Sequence, residues 1–217
     1  MDWMSSAIDL FLHLDRHLTE VVGRYGRGSY LLLSLIIFCE TGLVVTPFLP
    51  GDSLLFAAGA IAALGALDPA VLVGLLALSA IAGDNTNYWI GRYVGPRAFS
   101  GNLRFLRRDY LDRTHAFYQR HGGKTIILAR FAPILRTFAP FVAGVGAMRY
   151  LRFLQFSIGG SFLWVSLFVL GGYFFGNLPV VRDNFSLVIL AIIAISLMPA
   201  VVGFVKGRRG AGAGAGA

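Results

Sequence analysis

Apolar stretches at residues 70–91, 153–176 and 185–205 are each about 20 residues long, enough for a helix rising roughly 1.5 Å per residue to cross a bilayer. In hydrocarbon every backbone N–H and C=O must be paired within the chain, so such stretches without period-two alternation are helices. The expected fold class is an all-α polytopic membrane protein. With 56% hydrophobic and 14% charged residues and a mean hydropathy of +0.69, the composition is far from that of an ordinary soluble domain. The apolar segments cover the whole length. A single membrane domain over residues 1–207 is therefore expected, followed by a flexible tail at 208–217 that ends in "GAGAGA".

Two further apolar segments are interrupted. In "FCETGLVVTPFLPGDSLLFAAGA" an apolar run carries Glu40, breaks at Pro47, Pro50 and Gly51, and resumes after Asp52 and Ser53. Proline removes a donor and clashes with the preceding turn, and Asp and Ser are good helix caps. The pattern predicts helix, break, helix over residues 28–66. "KTIILARFAPILRTFAPFVAGVGAM" repeats the design over 123–148, with breaks expected at Pro133 and Pro140 and with Arg130 and Arg136 between apolar runs. The two segments share an opening proline, a second break and an F-x-A-G at nearly equal distance.

Charge orders these pieces. Residues 97–122 are strongly basic with Leu103, Leu106, Tyr110 and Phe117 at helical spacing, which reads as an amphipathic segment on the cytoplasmic surface. If each broken segment is a re-entrant hairpin, the second opens toward the cytoplasm and the first opens outward. Lys206, Arg208 and Arg209 then place the C-terminus in the cytoplasm. Inverted hairpins with discontinuous helices meeting at mid-membrane are an arrangement of secondary transporters. The side of the N-terminus stays open, because residues 28–46 could also form a full span. Residues 5–22 have one apolar and one polar face and read as an interfacial helix. They lack the signature of a signal peptide, so no cleaved leader is expected.

The net charge of +8 is accounted for by topology-setting loops and anionic lipid heads. No basic, aromatic recognition module for nucleic acid is visible. His13 and His17 fall on a wet polar face rather than in a metal site. Cys39 is the single cysteine, which leaves no disulfide framework or cysteine cluster. No nucleophile motif, metal-ligand spacing or phosphate-binding glycine loop appears. The expectation is a non-enzyme without metal or cofactor.

Glu40, Asp52, Arg130 and Arg136 remain. A charge at the centre of a spanning helix costs roughly 2.5 to 3.5 kcal/mol on insertion scales, so the four must face each other or water. Two acids on one hairpin and two arginines on the other form a neutral set. The arginines match the geometry of a phosphate head group, and the carboxylates are candidates to carry protons. The alternative is a set of structural ion pairs locking the hairpins. Asp84 and Asn87 either extend the site or lie at the interface.

In the order and spacing of "FCETGLVVTPFLPGDSLLFAAGA", "GDNTNYWIGRYVG" and "HGGKTIILARFAPILRTFAPFVAGVGAM", the chain closely resembles the bacterial DedA family, also called the SNARE-associated Golgi protein or VTT-domain family, from about residue 8 to 205. The resemblance implies a multi-pass bacterial inner-membrane protein with two inverted re-entrant hairpins. It also implies flipping or scrambling of lipids such as undecaprenyl phosphate or phospholipids, linked to the proton motive force. The family's functional Glu, Asp and two Arg map onto Glu40, Asp52, Arg130 and Arg136. Expected partners are anionic phosphate head groups and protons, with homo-oligomerisation open. The competing functions are a proton-coupled exporter of small cations or drugs and a membrane organiser that transports nothing.

Overall fold

The longest helix begins where Asp68 and Pro69 require it to. Asp68 Oδ1 accepts the N–H groups of Ala70 (2.8 Å) and Val71 (2.9 Å), and Pro69 occupies the first helical position, where its missing N–H costs nothing. The computed structural model describes residues 14–43, 51–100, 123–185, 187–192 and 194–195. Its elements are α1 (Leu14–Tyr25), α2 (Gly28–Gly42), α3 (Gly51–Ala63), α4 (Pro69–Ser100), α5 (Lys124–Ala129), α6 (Pro133–Val145), α7 (Tyr150–Phe175) and α8 (Pro179–Asp183). No strand occurs among the described residues.

Pro69–Val94 of α4 and all of α7 are long and apolar enough to cross a membrane. The two helices run antiparallel. Leu72, Leu76 and Ala80 share a core with Trp164, Val165 and Val169, while Asp84 and Asn85 meet Ser157 and Tyr150. Their outer faces expose Leu75, Leu78 and Trp89 on α4 and Leu163, Leu167 and Phe174 on α7. An apolar surface of this extent suits lipid as the surrounding solvent and not water.

The paired helices α2–α3 and α5–α6 have their outer ends at opposite ends of α4 and α7. The Asp68 N–H donates to the Tyr30 hydroxyl at 2.6 Å, which brings the first turn of α2 to the turn that follows α3. Asn177, just beyond α7, donates to Ala60 O at 3.0 Å at that same end. At the other end the Tyr88 hydroxyl donates to Met148 O at 2.5 Å, beyond the end of α6. Gly123, just before α5, lies against the Phe156 ring so closely that a Cβ there would overlap it.

The F-x-A-G similarity becomes a repeated helix crossing. A Cβ on Gly172 of α7 would strike Phe56 O of α3, and one on Gly59 would strike Val169 O. In the second crossing a Cβ on Gly91 of α4 would strike Phe141 O of α6, and one on Gly144 would strike Tyr88 O. Phe56 and Gly59 thus correspond to Phe141 and Gly144, and Val169 and Gly172 to Tyr88 and Gly91. Glycine lets the backbones touch, the usual basis of close helix packing in lipid. The partners are exchanged: α3 precedes α4 but crosses α7, and α6 precedes α7 but crosses α4. The two halves are interlocked. Gly172→Val and Gly91→Val are each expected to lower the melting temperature in detergent by on the order of 5 °C, from an overpacking cost of about 1–3 kcal/mol. Gly159→Ala should leave it unchanged, because a Cβ there meets nothing within 4 Å.

Several expectations shift in the structure. α4 continues to Ser100, well past residue 91, and α7 starts at Tyr150 instead of 153. Asp52 lies within the first turn of α3, which begins at Gly51. Pro133 opens α6 at its first turn, after Ala132 in the extended conformation (φ −125°, ψ 112°) that a residue before proline favours. Pro140 is a correction: it lies inside α6 and does not break it, so the second pair has one break, at residues 130–132. The N–H that Pro140 lacks would have bonded four residues back, and the helix continues around that missing bond. Leu18 and Val22 of α1 are buried against the core, while Glu20 and Arg24 are exposed. Pro47, Pro50, residues 101–122 of the basic segment, residues 5–13 and residues 196–205 lie outside the described residues.

Candidate functional site

Along α4 and α7 the buried side chains change character in the same order from opposite directions. Apolar residues up to Ala80 on α4 give way to Asp84 and Asn87 before Tyr88, and Phe153 on α7 gives way to Ser157 and Ser161 before Trp164. A polar layer therefore separates a large apolar cluster from a smaller one built on Tyr88, Ile126, Ala143, Met148 and Phe153. Both helix pairs place their charges in this layer: Glu40 from the last turn of α2, Asp52 from the first turn of α3, Arg130 from the break, and Arg136 from α6.

The structure brings all four predicted charges into the interior, each almost wholly removed from the surface. Their pairing differs from the expected set of four. Arg136 is held from two sides, with Nη1 donating to Asp52 Oδ1 at 2.7 Å and Nη2 paired with Glu40 Oε1. Arg130 instead pairs through Nη2 with Asp84 Oδ2 on α4. Asp84 is thus the third acid of the layer. The reason is geometric: Arg130, in the break, reaches Asp84 of α4 and packs beside Gly160 of α7. The Ser157 hydroxyl donates to the same Asp84 oxygen at 2.6 Å.

Trp164 was not among the expected residues. Its indole N–H donates to Asp52 Oδ1 at 2.9 Å, and its ring lies 4.5 Å from the Arg136 guanidinium carbon, within cation–π range. One buried aromatic therefore touches both members of the Arg136–Asp52 pair. Asn87 has a tying role. Its amide donates to Thr41 O (3.3 Å) and Thr137 O (2.6 Å), the residues that follow Glu40 and Arg136, and so holds α2 and α6 in register across α4. Gly51 admits the carboxylate of Glu40, which a Cβ there would overlap.

Three carboxylates face two guanidiniums in this layer. Fully ionised, it carries one excess negative charge, and one bound proton makes it neutral. Several polar atoms keep no hydrogen-bond partner, among them Glu40 Oε2, Asp84 Oδ1, Arg130 Nε and Nη1, and Arg136 Nε. No group of three or more His, Cys, Asp or Glu residues suited to a metal ion occurs among the described residues.

The VTT-domain family model matches residues 49–174, more than half of the chain. The chain belongs to the DedA family. Protein DedA of Escherichia coli K12 is 55% identical over 214 residues, covering 97% of this chain and 98% of that protein. An uncharacterized membrane protein of Mycobacterium tuberculosis is 47% identical over 185 residues, 83% of this chain and 80% of that protein. The inner membrane protein YqjA of E. coli K12 is 35% identical over 152 residues, 70% and 69% of the two chains. No solved structure matches. With its lipid-facing surface, this DedA-family chain is a membrane protein of the bacterial inner-membrane type. None of these relatives is named as an enzyme.

Proposed function

We propose that this DedA-family protein is a proton-linked transporter that flips or scrambles a phosphate-bearing lipid, with undecaprenyl phosphate and phospholipids as the candidate cargoes. The observation that carries the reading is the buried layer of three acids and two arginines between two apolar clusters. Ion pairs of this kind are a poor way to add stability, and intramembrane charges mark ion and substrate pathways. In this reading α2–α3 and α5–α6 are re-entrant hairpins that enter from opposite sides, so that each charged break reaches mid-membrane from its own face. The interlocked crossings Gly59–Gly172 and Gly91–Gly144 support it, because they give two equivalent half-structures able to rock against each other. α1 then lies at the membrane surface. Proton uptake by an acid of the layer removes the layer's excess negative charge, and a phosphate head group can then approach an arginine.

The test is purified protein in liposomes of defined lipid composition, with leaflet-to-leaflet movement followed with and without a pH gradient. Lipid movement that follows the gradient is the expected result. Cation flux without lipid movement would replace this reading by the exporter, and no flux of either kind would leave the membrane organiser.

A further inference from the structure

Arg130 and Arg136 are not interchangeable in their surroundings. Arg136 projects from within the continuous helix α6, spends Nη1 and Nη2 on two carboxylates, and lies over the Trp164 ring. Around it the charges sum to one positive and two negative, so an incoming anion is repelled. Arg130 sits in the break between α5 and α6, where the backbone is held by i to i+3 bonds, Arg130 N–H to Ile127 O at 3.2 Å and Phe131 N–H to Leu128 O at 3.3 Å. It meets one carboxylate, that of Asp84, through Nη2.

A guanidinium carries five N–H donors. Nε and Nη1 of Arg130 together hold three of them, and these atoms have no partner although the side chain is only 2% exposed. Buried polar groups are almost always hydrogen-bonded, and an unpartnered one calls for a ligand, a water or a role. The Nε edge faces Gly160 of α7, where an added Cβ would lie 3.0 Å from both Cδ and Nε of Arg130. The absence of a side chain at Gly160 lets Arg130 pack closely against α7 along that edge. Beside it, Asp84 Oδ1 is also unpartnered and can accept a hydrogen bond from a phosphate hydroxyl.

We infer that Arg130 is the anion-binding arginine of the layer, taking the oxygens of a phosphate group on its Nε and Nη1 donors, while Arg136 stays bound to Glu40 and Asp52. The inference rests on the transport reading above and divides its site: the acid-rich half around Arg136 handles protons, and the donor-rich half around Arg130 handles the anion. A lipid head group and free phosphate present the same chemistry to Arg130.

Binding of inorganic phosphate and of a short-chain phosphatidic acid to the full-length protein in detergent tests the assignment, with folding of every variant followed by its thermal transition. Arg130→Lys should weaken phosphate binding by roughly tenfold or more through loss of the planar donor set, whereas Arg136→Lys should stay within about threefold of the parent. Gly160→Ala keeps every charge and crowds the Nε edge, so it should weaken binding several-fold, and it carries the test if Arg130→Lys does not fold. Competition between phosphate and the short-chain lipid for the same site supports a head-group subsite, and saturable binding of phosphate alone supports a free-phosphate subsite on the same arginine. Loss of binding in Arg136→Lys equal to or greater than that in Arg130→Lys, or full binding in Gly160→Ala, overturns the inference. Parent protein that binds neither probe yet moves lipid in liposomes also overturns it, with the transport reading left standing.

Discussion

Glu40→Gln should uncouple the protein from the pH gradient while leaving it folded. Glu40 lies in the last turn of α2, at the negative end of the helix macrodipole, where an anion is disfavoured, and Asp52 lies in the first turn of α3, where it is favoured. Asp52 Oδ1 accepts two N–H groups, from Arg136 and Trp164. Glu40 has one oxygen on Arg136 and the other, Oε2, against the backbone of Gly51 with no side-chain donor on it. Facing both are one cation, Arg136, and, deeper in the layer, the Arg130–Asp84 pair. Of the two acids on Arg136, Glu40 is therefore the one placed to take the proton. A one-unit pH gradient supplies about 1.4 kcal/mol per proton, a factor of roughly ten in the leaflet ratio of a lipid moved with one proton. In liposomes the parent should approach that ratio and Glu40→Gln should stay near one, with glutamine preserving shape and filling the place of the protonated acid. A gradient response that survives in Glu40→Gln and disappears in Asp52→Asn would move the proton to Asp52.

Much of this site was legible before any coordinates, because a charge inside an apolar run is conspicuous. Glu40, Asp52, Arg130 and Arg136 stand out for that reason, and proline places the breaks that carry them. What pairs with what was not legible. In an apolar stretch ending at residue 91, Asp84 falls near a helix end, where a polar residue means little. The helix runs to Ser100, so Asp84 is at its middle and is buried. Of the two readings open for Asp84 and Asn87, the burial favours an extension of the layer, because Asp84, Asn85 and Asn87 all find partners inside the bundle. Trp164 carries a usable signal in the sequence. Indoles gather at the two membrane interfaces, whereas this one lies mid-span, and a buried indole N–H generally has a partner. The F-x-A-G repeat was visible as a similarity. Its meaning, two equivalent crossings with exchanged partners, depends on which long helix each pair meets, and no local pattern encodes that.

Asp84→Asn should be the most destabilising single change in the layer. Arg130 and Asp84 are both almost fully buried, and removing the acid leaves a guanidinium in the interior with no carboxylate opposite it. Breaking a buried pair in this way costs about 3–5 kcal/mol, a large share of the total stability of a typical domain. The expected result is a sharply reduced amount of folded protein in the membrane and a lowered thermal transition in detergent. Ser157→Ala removes only one neutral donor from the same oxygen and should cost about 1 kcal/mol. The double variant Asp84→Asn with Arg130→Gln removes both charges and should recover most of the lost stability, so that the double-mutant cycle returns a coupling energy of several kcal/mol. Recovered stability must not be accompanied by recovered transport if Arg130 holds the anion. Asp84→Asn as stable as the parent would mean that Arg130 draws its counter-charge from Glu40 or Asp52 instead, and would return the layer to the neutral set of four.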